Sequence, residues 1–267
     1  MDLLKLAEQV SAVARGAGEL IINSDHHDVF EKQGRTNFVT SMDLASQEYI
    51  IEHLKSILPE ANFFAEESDK NELLPGYNWI IDPIDGTMNY MIGYKHSCIS
   101  IALINDCESI LGVVYDPYLD EMYIGAKGYG AYLNGKRIYN HTGRATENCI
   151  VLFGTAMYYR ELAELSFNVA RKVFDLCGDI RRTGSAALDL CYVACGKCDA
   201  YFEILLQPWD FAAGAVIARE AGAVATSILG KELDFSKPCG VLAGNPELCG
   251  QINQIITEQA EIVNYRN

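Results

Sequence analysis

The chain has 267 residues, 49% of them hydrophobic and 21% charged, with a formal net charge of −15. It is long enough for one large core or two fused halves, and an acidic chain without a Lys/Arg block argues against nucleic acid or an anionic membrane as partner. Nine scattered cysteines, the absence of an apolar stretch of spanning length and an N-terminus without a basic flank before an apolar run lead us to expect a cytoplasmic protein with reduced thiols.

Leu3, Leu6, Val10, Val13, Ala17 and Ile21 keep a helical period over 2–23. Thr40 or Ser41 can cap a second helix ending before Pro59, with Leu44, Ile50, Ile51, Leu54 and Leu58 on its apolar face. The period then shortens to strands at 63–66, 79–82, 97–104, 109–115, 121–124 and 130–133. Asn105-Asp106 reads as a hairpin turn and Asn134-Gly135 as a tight turn. A composition change at 140–148 marks a seam between residues 1–145 and 146–267. Beyond it, strands at 150–153, 179–182, 200–203 and 241–243 alternate with helices at 158–175, 185–195, 209–221 and 246–262. The first part reads as an antiparallel-leaning α+β half, the second as an α/β half. Tyr158-Tyr159 reads as ordinary packing. Cys195 and Cys198 lack two further ligands for zinc and read as structural.

The stretch Trp79-Ile80-Ile81-Asp82-Pro83-Ile84-Asp85-Gly86-Thr87 carries the chemistry. A buried strand delivers two carboxylates around a proline-set turn, and a helix opens just beyond. Two carboxylates this close repel by about 4 kcal/mol at an effective dielectric near 20, and a hard divalent cation relieves that. The backbone N–H groups of Gly86, Thr87 and Met88 suit an anion. A cation site touching an anion site indicates a metal-dependent phosphate enzyme. Glu66 and Glu67 end a second apolar strand, and Asp210 begins an Ala/Gly-rich helix. Taken singly, these acids read equally as solvated strand ends or a helix N-cap, and Thr87 as a helix cap.

The strand-end pair at 66–67, the segment 82–87, Trp209-Asp210, and Val39-Thr40 followed by Asp43 together resemble the inositol monophosphatase family of magnesium-dependent, lithium-sensitive phosphatases. The likeness runs in order along nearly the whole chain. It implies a layered αβαβα sandwich, the sugar-phosphatase fold, with the site between the halves, in a homodimer. It implies two or three Mg2+ per site, one held by Glu66, Asp82 and the Ile84 carbonyl, a second by Asp82, Asp85 and Asp210. Thr87 orients the attacking water with support from Asp43, and Glu66 counts with them as catalytic. Gly86 and Thr87 hold phosphate. Asp85, Gly184, Ser185, Ala186 and Glu203 meet the hydroxyls of a small phosphorylated polyol or sugar. Lys32 stands at the spacing of a mobile basic residue near the site, or is a solvated loop lysine. Glu67 is a supporting hydrogen-bond acceptor or an exposed charge. The chain departs from the family's common pattern at Ser185, often threonine, and Ala65, often glycine. The expected reaction is hydrolysis of myo-inositol 1-phosphate. NADP(H) 2′-phosphate and fructose 1,6-bisphosphate are the alternatives, and a non-catalytic cation-binding protein a more distant one.

Overall fold

The computed structural model describes residues 1–24, 28–31, 38–68, 71–140 and 143–259. Helix α1 (Leu3–Ile22) starts at Asp2, whose carboxylate accepts the Leu4 and Lys5 N–H groups. The antiparallel pair β1 (Val29–Glu31) and β2 (Phe38–Thr40) leads into α2 (Ser41–Ile57). Thr40 and Asp43 cap α2 reciprocally, a capping box that satisfies otherwise orphaned donors.

Seven strands follow in one sheet, in spatial order β3 (Asn62–Ala65), β4 (Tyr77–Asp85), β5 (Cys98–Asn105), β6 (Glu108–Asp116), β7 (Glu121–Ala126), β8 (Gly130–Leu133) and β9 (Lys136–Ile138). Every neighbouring pair is antiparallel except β3 and β4. Between β4 and β5 lies the single turn α3 (Thr87–Met91). Asn134 and Gly135 both have positive φ, 48° and 74°, as the mirror-image hairpin turn requires. The β5–β6 turn uses Asp106 and Cys107, at φ 45° and 71°. Asn105 itself pairs with Glu108, so the turn lies one residue later than the sequence suggests.

The rest of the chain gives β10 (Ile150–Phe153), α4 (Ala163–Leu176), β11 (Asp179–Arg181), α5 (Ala186–Ala194), β12 (Ala200–Leu206), α6 (Pro208–Glu220), β13 (Val224–Ser227), β14 (Cys239–Gly244) and α7 (Pro246–Thr257). Its sheet runs β11-β10-β12-β14-β13. The first three are mutually parallel, while β14 and β13 run antiparallel to their neighbours. The α/β expectation therefore holds for three strands only. β13 and β9 carry little apolar alternation and escape a periodicity search.

Three apolar clusters define five layers. Trp79, Ile81, Ile101 and Val113, on one face of the larger sheet, pack with Val10, Ala14, Ile50 and Leu54 of α1 and α2. Ile80, Ala102 and Val114, on its other face, meet α5 and α6, which also cover Tyr201, Val241 and Ala243 of the smaller sheet. The outer face of that sheet packs on α4 and α7 through Val151, Phe202 and Leu242 against Val169 and Ile252. The order is α1/α2, sheet, α5/α6, sheet, α4/α7: the αβαβα sandwich. Helix α6 lies very close to the larger sheet. A Cβ on Gly125 would come within 2.6 Å of the Ile217 Cα, so only glycine fits there. Ser100 Oγ and Ser109 Oγ donate to the Trp209 and Ala212 carbonyls, pinning the start of the helix to the sheet.

The buried face of α2 differs from its sequence reading. Leu44 is exposed, whereas Asp43, Ser46, Gln47, Ile50 and Leu54 are buried. The N-terminal end of that face looks toward polar groups rather than the core. Ser46 Oγ donates to the Pro83 carbonyl at 3.0 Å, and Gln47 Oε1 accepts the Glu67 N–H at 2.9 Å.

Candidate active site

Strand β4 does not turn at Pro83, as the sequence suggests; it continues to Asp85 through an irregularity. Asp82 pairs with Ser100 and Asp85 with Cys98, so three residues on β4 match two on β5. A bulge of this kind re-aims side chains, and Pro83 costs the ladder nothing where an N–H is unpaired. As a result Asp82 and Asp85, which would point to opposite faces in a regular strand, deliver carboxylate oxygens to one point. Asp210, in the first turn of α6, delivers a third: oxygens from the three acids all lie within 4.8 Å of one another. Asp210 is also the capping partner of Gln207, whose N–H it accepts at 2.8 Å, so the capping and the clustering coexist. Glu66 follows β3, donates its N–H to the Ile81 carbonyl and lines the same cleft.

Burial and then the charges of Glu66, Asp85 and Asp210 push the Asp82 carboxyl well above the usual carboxylate range. Burial and the charges of Asp85 and Glu66 do the same for Asp210. For Asp85, burial raises the value to about 6, against the opposing pull of hydrogen bonds from Ser185 and the Ala187 and Ala186 backbone. Among the described residues, no Lys or Arg pairs within 4.0 Å with Asp82, Asp85 or Asp210. Clustered, buried hard oxygens without a counter-charge among the described residues fit a Mg2+-type ion.

Thr87 and Asp43 are both buried beside this cluster. Thr87 Oγ1 lies 3.3 Å from Asp43 Oδ1 and 3.1 Å from the Ile84 carbonyl. Asp43 Oδ2 accepts the Thr40 N–H at 2.7 Å and the Thr40 hydroxyl at 2.6 Å, which locks the carboxylate. Gly86 has φ +91°, and a Cβ there would meet the His96 carbonyl at 3.0 Å and the Gly184 carbonyl at 3.2 Å, so glycine is required. Gly86, Thr87, Gly184 and Ala186 all line the cleft, which encloses about 820 Å³ including its open mouth.

Two residues expected to meet a ligand, both lining the cleft, also bond within the protein. Ser185 Oγ donates to Asp85 Oδ2 at 2.6 Å, and the Ala187 N–H joins it at 2.8 Å. Glu203 is buried, with Oε1 accepting the Ala156 N–H and Oε2 the Tyr201 hydroxyl, both at 2.7 Å. It ties the segment after β10 to β12. Lys32 lies outside the described residues. Tyr158 and Tyr159, read as packing, line the cleft, and Tyr159 Oη accepts from Gln207 Nε2 at 3.1 Å. Asp189, Met157 and Arg182 also line it; Arg182 and Asp189 lie near Gly184 in sequence, and Met157 carried no sequence signal.

A family model described as the inositol monophosphatase family matches residues 2–261. The fold is that of the IMPase-type phosphatases, and the chain belongs to the inositol monophosphatase family. It is 38% identical over 239 residues to the Escherichia coli K12 protein named Nus factor SuhB, covering 88% of this chain and 89% of that one. It is 36% identical over 266 residues to the Aquifex aeolicus protein named fructose-1,6-bisphosphatase/inositol-1-monophosphatase, covering 98% and 99%. Among solved structures, an IMPase of Thermotoga maritima superposes with a TM-score of 0.85 at 32% identity, covering 99% of both chains. Among the described residues no helix is long and apolar enough to cross a membrane.

Proposed function

We propose that the protein hydrolyses phosphate monoesters of small polyols and sugars by attack of water, with myo-inositol 1-phosphate as reference substrate. The convergence of Asp82, Asp85 and Asp210 beside the Thr87–Asp43 pair carries this reading. Magnesium ions held by Glu66, Asp82, the Ile84 carbonyl, Asp85 and Asp210 would supply the positive charge that neutralises the phosphate and acidifies water. The chain's own groups do the rest. Thr87 has one hydroxyl hydrogen and two acceptors in reach. When it donates to Asp43, its lone pairs can accept a hydrogen bond from water and orient that water toward phosphorus. Asp43, held by Thr40, cannot swing away and keeps Thr87 in that orientation. The N–H groups around Gly86 and Thr87 hold phosphate oxygens.

The test is phosphate release from myo-inositol 1-phosphate and glycerol 2-phosphate, with and without Mg2+, and with added Li+. Magnesium-dependent, lithium-inhibited release is the expected result. Cation binding without release from any monoester would move the protein to a non-catalytic cation-binding role. Sedimentation of the protein as a dimer is the expected assembly.

A further inference from the structure

The loop after β10 carries a phenol that the Thr87–Asp43 chemistry does not use. The loop is held at both ends. Gly154 donates its N–H to the Phe202 carbonyl at 3.0 Å, and a Cβ there would lie 1.7 Å from Glu203 Oε2, so a side chain at 154 would dislodge that carboxylate. Ala156 has φ +46°, a left-handed conformation that a non-glycine residue keeps only where its surroundings impose it. The bond from its N–H to Glu203 Oε1, at 2.7 Å, does so. Tyr159 closes the loop, with its N–H on the Ala156 carbonyl at 2.8 Å and its Oη accepting from Gln207 Nε2. Gln207 is the N-cap of α6 and donates its own N–H to Asp210. Met157 and Tyr158, between these ties, are therefore fixed relative to the acid cluster.

Tyr158 lines the cleft. The residue is 45% exposed, yet burial is the leading influence on its hydroxyl, so the ring borders solvent and the oxygen end is sheltered. Next in weight come the charges of Glu66, Asp210, Asp82 and Asp85, which with burial push the phenol far above its usual range. Glu203 lines the same cleft but is not among these leading charges. The oxygen thus faces the acid cluster, and it keeps its proton. Among the described residues it has no hydrogen-bond partner. Cations gathered by the acids bring an anion with them, and a neutral O–H donor facing the same point suits that anion's oxygens. Gly86 and Thr87 follow a strand of the larger sheet, and Tyr158 follows a strand of the smaller one.

We infer that Tyr158 is a catalytic residue whose hydroxyl donates a hydrogen bond to the reacting phosphoryl group, gripping it from the smaller sheet while the Gly86–Thr87 backbone grips it from the larger one. The inference rests on the phosphomonoesterase reading of the same cleft. A fixed donor on an oxygen that carries charge in the transition state is a preorganised electrostatic contribution. The phosphoryl group is common to all monoesters, so the contribution is independent of the alcohol.

The experiment compares wild type with Tyr158→Phe, which keeps the ring and removes only the hydroxyl. Steady-state kinetics on myo-inositol 1-phosphate and glycerol 2-phosphate, both with Mg2+, are set beside calorimetric titrations of inorganic phosphate and of Mg2+. The expected result is a fall in kcat/KM of about 10- to 100-fold, by the same factor on both esters, and weaker binding of inorganic phosphate. The melting temperature and the Mg2+ affinity should hold. Unchanged kinetics and unchanged phosphate affinity overturn the inference. A loss confined to inositol phosphate also overturns it, since Tyr158 would then be reading the polyol. So does a loss that excess Mg2+ restores, since Tyr158 would then act through Glu66. Wild type that releases phosphate from neither ester overturns the phosphatase reading instead, and the calorimetry alone then decides whether Tyr158 meets phosphate.

Discussion

Ser185→Ala separates two jobs that the same hydroxyl could do. The 2.6 Å bond to Asp85 is a donor to a buried carboxylate whose value already stands at about 6. Such a charge-assisted bond is worth roughly 1.5–3 kcal/mol, and each 1.36 kcal/mol shifts a pKa by about one unit. The Ala187 N–H remains, so a rise of about one unit, to near 7, is a conservative expectation. A cation needs Asp85 ionised. At pH 6 the ionised fraction would then fall from about one half to about one eleventh, a fivefold loss in apparent Mg2+ affinity; near pH 8.5 the loss should vanish. The mutation also removes the N-cap of α5, worth about 1 kcal/mol of stability. Calorimetric Mg2+ titrations at pH 6, 7 and 8.5, with a pH–rate profile, measure this. The acid limb of the profile should move up by about one unit, while Ser185→Thr leaves it in place. A pH-independent rise in KM for inositol phosphate, with Mg2+ affinity untouched, would refute the reasoning and return Ser185 to the substrate.

Thr87→Ala should lower kcat by about 10²-fold or more with little change in KM, because the hydroxyl acts on water rather than on the ester; steady-state kinetics check it. Asp82→Asn should fold, lose nearly all turnover and, without metal, melt higher than wild type at pH 8, since it removes a buried, repelled charge. The sign follows from raised folded values: in the metal-free protein these acids favour folding below about pH 4. That contribution is lost as pH climbs through the raised values, about 6 for Asp85, so the melting temperature should fall over that window and Mg2+ should recover it. Gly125→Val should destabilise the fold by about 3 kcal/mol through overpacking against α6 and cut activity as well; melting curves and phosphate release should fall together.

The apolar periods of α1, β5 and β6 and the acids at 66, 82, 85 and 210 were legible because each is written in a few neighbouring residues. What escaped depended on partners far along the chain. Leu44 looked like a core residue because it is apolar, but the phase of α2 is set by Asp43 reaching Thr87, so polar side chains fill the inner face there. The bulge at Asp82–Asp85 is a property of the pairing with β5 and cannot be seen in β4 alone. Ser185 and Glu203 lie at the cleft, and their bonding partners there, Asp85, Ala156 and Tyr201, come from other segments, so those bonds could not be read from the sequence. Tyr158 and Tyr159 belong to a segment whose position is set by that same Glu203 tie.

The close seat of α6 on the larger sheet bears on which ion the proposed metal site would take. Two of the clustered acids ride on β4 and the third on α6, and the glycine at 125 and the serine hydroxyls at 100 and 109 leave no slack between helix and sheet. A ligand set that cannot spread favours a small ion with short oxygen bonds. Calcium, which takes 6–8 oxygens at about 2.3–2.6 Å and relies on pliable cages, would have to push the helix off its bed to be fully wrapped. Under the proposed magnesium reading, discrimination by ionic radius would then depend on a sheet position that never touches the ion.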